Sequence, residues 1–236
     1  MKKHILVLVV GLLSWMYAFA AHNITEEYIN SLGAESIDQL IVAASLEDPD
    51  DVPVKIKAIM RLGDLKAKEA VPTLIQALGY GSETIIRVGG TRKIYPYQVR
   101  LVAAKALAQI GDERAVHALA SRAYQDEDLI VKRAAVQALG LMGDKAKDKY
   151  VLTILYDLLE KTPDNALVSD ICEALGKIGD KSSFVYLLRV TQGPYLNSVK
   201  AVAQKSISQI KWNEPNVFET QKGSGEGSGT QTPYTK

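Results

Sequence analysis

Few side chains in this chain are suited to covalent or acid–base chemistry. It has one cysteine, Cys172, and three histidines, His4, His22 and His117. The first two histidines sit in or beside an apolar N-terminal run, which leaves His117 for the body of the protein. A single cysteine excludes an intrachain disulfide and any cysteine-based zinc cluster. One histidine cannot form a metal site unaided. No base lies close in sequence to Cys172 and nothing near it would lower its pKa, so it reads as a packing residue rather than a nucleophile. Asp64, Asp112, Asp144 and Asp180 form a spaced carboxylate row, but each directly follows a glycine. An aspartate there accepts hydrogen bonds from the next helix's free N–H groups and opposes its dipole, so the row reads as caps. The Gly-Ser-Gly-Glu-Gly-Ser-Gly run at 223–229 lacks the strand, lysine and helix of a phosphate loop.

The elements that would position these residues follow from a recurring phrase. Leu62-Gly63-Asp64, Ile110-Gly111-Asp112, Met142-Gly143-Asp144 and Ile178-Gly179-Asp180 repeat it, with degenerate copies at Leu32-Gly33-Ala34 and Ile210-Lys211-Trp212. Upstream, Val99, Ala103, Ala106, Leu107 and Ile110 correspond to Val131, Ala135, Ala138, Leu139 and Met142, and again to Leu167, Ile171, Ala174, Leu175 and Ile178. These offsets trace one stripe of an α-helix. Glycine at the end of the stripe closes the helix in the left-handed conformation. A second apolar helix follows, as at Ala67, Val71, Leu74 and Leu78, or at Tyr150, Ile154 and Leu158, and Asp-, Pro- or Asn-rich breaks end it. The pattern predicts eleven helices stacked in pairs.

The pattern Val-Arg/Lys-x-x-Ala-Ala/Val-x-Ala-Leu-Gly/Ala-x-Ile/Met-Gly-Asp, best carried by Val99 to Asp112 and Val131 to Asp144, resembles HEAT repeats, especially the short type named after phycobilisome chromophore lyases. The resemblance runs from about Ile24 to Trp212. It implies an all-α fold, an α-α superhelix or HEAT-like solenoid of about five helix pairs, over residues 24–212. It also implies that Arg100, Lys132 and Lys200, which share a repeat position, pair with loop acids such as Asp126, Asp128 and Asp164. Small residues at Ala108, Gly140, Gly176 and Ser208 let inner helices approach closely. HEAT-like hydroxylases carry repeated His-Glu dipeptides, which this sequence lacks.

The 48 residues from Gly63 to Gly111 exceed the other spacings, and the excess forms an insertion at 79–98. Two β-rich runs flank Gly89-Gly90, which predicts a β-hairpin. In that register Arg87 faces Arg92, a like-charge pair that destabilises the ladder. Either Ile85, Ile94 and Tyr95 pack on the stack, or Arg87, Arg92, Lys93, Tyr95 and Tyr97 form a basic-aromatic finger for an acidic partner. The exposed positions of the inner helices, Lys57, Lys105 and Arg133 with Gln137, Glu173 and Lys205, would line a concave face beside it.

Of the 236 residues, 28 are Lys or Arg and 27 are Asp or Glu, a balance that gives no support to nucleic-acid binding by bulk charge. A basic head at Lys2 and Lys3, an apolar run from Ile5 to Tyr17 and Ala18-Phe19-Ala20 read as a signal peptide over 1–20, the alternative being an uncleaved anchor. Residues 213–236, rich in Gly, Ser and Thr towards their end, read as a flexible tail. The resulting expectation is a non-catalytic exported scaffold or adaptor, periplasmic in a two-membrane bacterium. It would bind a protein or peptide, use no cofactor or nucleic acid, and keep no stable membrane insertion after cleavage. A transient assembly factor or regulatory subunit of an envelope complex is the alternative. An exported chain would not meet a cytosolic chromophore, which argues against an enzyme.

Overall fold

The structure, a computed structural model, describes residues 24–79 and 96–219. Every regular element among them is helical. Eleven α-helices run α1 (Glu26–Ser31), α2 (Ile37–Ala44), α3 (Val52–Asp64), α4 (Val71–Ala77), α5 (Tyr97–Ile110), α6 (Val116–Gln125), α7 (Leu129–Met142), α8 (Lys149–Lys161), α9 (Asn165–Ile178), α10 (Phe184–Gln192) and α11 (Asn197–Ser208). The odd-numbered helices from α1 to α11 pack successively on one another as an inner layer. The even-numbered helices lie outside them, each against the inner helix that follows. The core is therefore a continuous seam of stripes, Ala58 and Leu62 from α3, Ala103 and Leu107 from α5, Ala135 and Leu139 from α7, Ile171 and Leu175 from α9, all fully buried. No helix pair could bury its own stripe alone, which is the physical basis of a solenoid.

The hairpin turns differ from one another in an informative way. Gly111 and Gly179 close α5 and α9 in the left-handed conformation, with φ of 64° and 74°. Gly143 closes α7 at φ 55°, ψ −122°, a region open only to glycine. Gly63 departs from this pattern: it lies inside α3, and the left-handed residue is Lys66 at φ 52°. The N–H of Ala67 donates to the Leu62 carbonyl and that of Lys66 to the Gly63 carbonyl, the bond pair of a Schellman closure. The true first copy of the phrase is thus Leu65-Lys66-Ala67, three residues later than the Leu-Gly-Asp match suggests. In that register Val54, Ala58 and Leu62 take the places of Val99, Ala103 and Leu107, and all six are buried.

The corrected register also explains Gly63. A Cβ there would lie 2.9 Å from the Ala106 Cα, as one at Gly140 would lie 2.9 Å from the Ala174 Cα and one at Gly176 2.8 Å from the Ser206 Cα. Each of these three glycines marks the closest approach of consecutive inner helices. On α8 the buried residues are Val151, Leu152, Leu155, Tyr156, Leu158 and Leu159, while Tyr150 faces out; the stripe begins one residue later than expected.

The β-hairpin expected over 79–98 falls on residues 80–95, outside those described. At its flanks, Arg122 of α6 donates to the Gly79 carbonyl at 2.6 Å, and Tyr97, expected to end a strand, is instead the first residue of α5. The leader, residues 1–20, also lies outside the described residues, as does the tail from 220. Residues 213–219, expected to begin a flexible tail, fold back on the loops after α7 and α9.

Candidate functional site

The inner helices present their exposed positions to one surface, where α7 and α9 leave an open groove of about 190 Å³. Gln137, Gly140 and Leu141 line it from α7, and Asp170, Glu173, Ala174 and Lys177 from α9. Gly140 and Ala174 form its floor, where the two helices approach so closely that a Cβ at Gly140 would lie 2.9 Å from the Ala174 Cα. Asp170 is nearly buried at its margin and accepts hydrogen bonds from Arg133 Nε at 2.5 Å and Gln137 Nε2 at 3.0 Å. That carboxylate raises the already high pKa of the Arg133 guanidinium. Lys177 pairs with Glu173 at 2.7 Å across the far rim. Leu141 is 66% exposed beside these charges. The groove therefore joins an exposed apolar side chain to a hydrogen-bonded polar wall.

The expected contact residues separate into three groups. Arg87, Arg92, Lys93 and Tyr95 lie outside the described residues. Arg133 does not line the groove itself but donates its Nε to Asp170, which does. Lys57 lies 4.0 Å from Glu26 on the N-terminal inner helices, Lys105 is exposed on α5, and Tyr97 is partly exposed at the start of α5. Sequence reasoning placed Glu173 and Gln137 on this face correctly but missed Asp170. Its signal was a charged residue at the repeat position that Val102, Ala134 and Val202 hold elsewhere.

The ladder of bases is formed by Arg100, Lys132 and Lys55, which the corrected register adds. Arg100 donates to both oxygens of the buried Asp126, at 2.7 and 2.9 Å. Lys132 instead donates to the Tyr124 carbonyl at 3.1 Å, and the buried Lys55 to the Leu46 carbonyl at 2.9 Å. In the carboxylate row, Asp112 and Asp180 cap, accepting from the N–H groups of Arg114 and Ser182. Hydrogen bonding to Arg114 holds Asp112 at about 2. Asp144 pairs with Lys211 and Asp64 accepts from Gln109, so neither caps. The next outer helix is capped instead by Asp148, which accepts from Tyr150 and Val151 and lies 3.2 Å from His117 Nε2.

Cys172 is fully buried in α9, and burial pushes its thiol up to about 12. At neutral pH it has almost no thiolate and serves as packing. Burial likewise pushes Tyr156 up to about 12; it stacks on Tyr186 at 3.9 Å and hydrogen-bonds Ser182 and Ser183. Among the described residues no three His, Cys, Asp or Glu side chains converge to hold a metal ion, and no helix is long and apolar enough to cross a membrane.

Two family models match the chain, HEAT repeats over residues 94–157 and PBS lyase HEAT-like repeat over residues 54–80. The chain is 30% identical over 150 residues to phycocyanin alpha phycocyanobilin lyase CpcF of Synechocystis sp. strain PCC 6803, an alignment spanning 55% of this chain and 69% of that protein. The chain belongs to the PBS-lyase type of HEAT-repeat proteins. Within this family it is also 31% identical over 124 residues to the phycocyanobilin lyase subunit beta of Pseudanabaena tenuis, covering 46% of this chain and 43% of that one. A third relative, the phycobilisome maturation protein of Synechococcus elongatus, is 30% identical over 113 residues, covering 41% and 55%. The chain spans about half the length of the phycocyanobilin lyase beta subunits it matches. A solved structure of the complex of CpcE and CpcF of phycocyanin lyase from Nostoc sp. PCC7120 superposes with a TM-score of 0.56 at 25% identity, over 77% of this chain and 69% of that one.

These relatives overturn the expectation of a non-catalytic scaffold or adaptor, and with it the expectation that the PBS-lyase-type chain is no enzyme. The sequence lacks a self-contained set of nucleophile, base or metal ligands. A surface built from repeats can contribute to a reaction by binding and orienting, which leaves no such motif.

Proposed function

We propose that this chain is one subunit of a lyase-type assembly that acts on a bilin-class chromophore together with a second protein. The observation that carries the reading is the similarity to the Synechocystis lyase over 69% of that protein's length. The likeness to a chain of a two-protein lyase complex supports the second subunit. A bilin is an open-chain tetrapyrrole, elongated, largely apolar and bearing carboxylates. The α7–α9 groove offers Leu141 for apolar contact and Lys177 on its lining, and Arg133, whose Nε donates to the groove-lining Asp170, stands beside it for a carboxylate. With Cys172 buried, this chain's part is to hold and align chromophore and acceptor. Such alignment can supply about 7 kcal/mol or more of the barrier reduction.

The same reading assigns partner contact to Lys57, Lys105 and Tyr97 along the inner face and to the insertion at 79–98, taken from its sequence as a β-hairpin presenting Arg87, Arg92, Lys93 and Tyr95. The leader over 1–20 is kept as a separate proposal, an export signal supported by its basic head and small-x-small ending, and with it chromophore and acceptor would have to reach the chain outside the cytosol. Cell fractionation with an antibody to the chain tests that part: retention in the cytosol of the leader-bearing form would remove it.

The central test is an absorption titration of phycocyanobilin into the purified chain, alone and with a candidate second subunit. A saturable change in the visible band, weakened about tenfold in Arg133→Ala through loss of a charge-assisted contact, is the expected result. An unchanged chromophore spectrum under both conditions would defeat the reading.

A further inference from the structure

The segment after α11 covers a second surface that the groove does not use. The edge where the inner helices turn back carries Lys147, Lys149 and Lys181, with Asp180 fully buried between them. Residues 211–219 lie along this edge. The N–H of Lys211 donates to the Gly179 carbonyl at 2.9 Å, and Trp212 meets Phe184 edge-on at 5.2 Å. Glu214 pairs with Lys147 at 2.8 Å, and Glu219 with Lys181 at 2.9 Å. The N–H of Val217 donates to Asp180 Oδ2 at 3.0 Å, and Lys149 lies 5.8 Å above the Phe218 ring. Asn216 shapes the turn by accepting from the N–H groups of Phe218 and Glu219.

This strap is specific in its contacts and is held by surface ion pairs together with Val217, which packs against the core. Its two glutamates and Trp212 are each about half exposed, as is much of Phe218. Exposed ion pairs contribute only about 0–1 kcal/mol each and weaken with salt. The underlying edge is more firmly built: Asp180 is held by the Ser182 N–H and hydroxyl, and the Lys147 side chain is mostly buried.

We propose that this lysine edge is a binding surface for an acidic, aromatic-bearing peptide segment of a partner protein, and that residues 212–219 are its resident, displaceable occupant. The chain's own strap displays the chemistry the surface accepts: two carboxylates for Lys147 and Lys181, an aromatic ring under Lys149, and a backbone N–H for Asp180. A tethered strap acts at an effective concentration on the order of millimolar, so a free peptide competes poorly. A segment on a partner already docked elsewhere is tethered too, and exchanges with the strap on equal terms. The edge then opens only when a partner is present.

The test uses the full chain and a fluorescein-labelled peptide of sequence Asn-Glu-Pro-Asn-Val-Phe-Glu, followed by anisotropy. Glu214→Gln with Glu219→Gln loosens the strap and leaves the lysine edge intact, so the peptide should bind this variant about tenfold more tightly than wild type. Adding Lys147→Ala and Lys181→Ala should abolish that gain, with the helical circular-dichroism signal unchanged. With Trp15→Phe making Trp212 the only tryptophan, acrylamide quenching should rise about two-fold in the glutamine variant as the Phe184 contact opens. Equal peptide affinity for wild type and the glutamine variant, or a Trp212 that stays equally protected in both, would show a permanent cap and overturn the proposal.

Discussion

Lys66 shows how one residue can hide a repeat. It occupies the left-handed closing position that glycine fills after α5 and α9, and the nearby Leu62-Gly63-Asp64 imitates the expected phrase three residues early. A side chain in that conformation costs about 1 kcal/mol relative to glycine. Lys66→Gly should therefore raise the urea midpoint, by an amount equivalent to about 1 kcal/mol, without altering the circular-dichroism spectrum. A loss of stability would mean that Lys66 makes contacts beyond its backbone role. The acid sensitivity of the fold also belongs to this scale. Burial of Asp126 opposes its ionisation, but the Arg100 hydrogen bonds, the Asp128 N–H and the charges of Arg100 and Arg122 outweigh it and hold the carboxyl below its ordinary value. A depressed carboxyl contributes stability that is complete above the unfolded value of about 4 and is lost as pH falls through the lower folded value. Asp126→Asn should cost about 3 kcal/mol at neutral pH, since it leaves Arg100 half-paired in a buried site. It should also flatten the stability curve below about pH 4, where Asp112 remains as a contributor held at about 2. Chemical melts across pH 2 to 7 would check both, using the ordinary carboxylate range as reference.

At the scale of elements, inner and outer helices do different work. α3 meets the backbone of α5 at Gly63, α7 that of α9 at Gly140, and α9 that of α11 at Gly176. The outer helices are shorter, and short 3-10 turns open several of them, at Lys68–Ala70, Glu113–Ala115 and Lys181–Ser183. Their sequence signature is correspondingly weaker, and the α8 stripe begins one residue after the position the spacing predicts. The groove belongs to this level as well. Its floor is a glycine and an alanine, legible in sequence as small residues, but its polar wall needs Arg133 and Asp170 from two helices 37 residues apart. Spacing within one helix cannot reveal a pair made between helices.

For the whole molecule, cohesion passes from each unit only to its neighbours, so the ends are supported on one side. Stability should fall from the centre outward. In hydrogen exchange followed by mass spectrometry, α5, α7 and α9 should exchange slowest, and α1 and α11 fastest. Uniform protection along the chain would contradict nearest-neighbour cohesion. Ile29 is the one buried residue in α1, while α9 has nine, so the contrast should be plain. The strap over residues 211–219 supports the C-terminal end and would raise protection at the turn near Gly179.

By itself the sequence determined the helical class, the eleven helices of the described residues, the stacking and the family. Each of these depends on apolar residues recurring at a fixed interval, a property that survives without knowledge of neighbours. It also identified Cys172 as interior, because a residue on the apolar stripe is buried whatever the detail. Only the tertiary structure decided that Lys66 closes the first copy, that Asp170 joins Arg133 at a groove, and that residues 213–219 fold back on the loops. Those features arise between segments far apart in the chain, where one residue's surroundings are supplied by another helix. A surface assembled by packing leaves no local motif, which is why the groove between α7 and α9 is legible only in the folded chain.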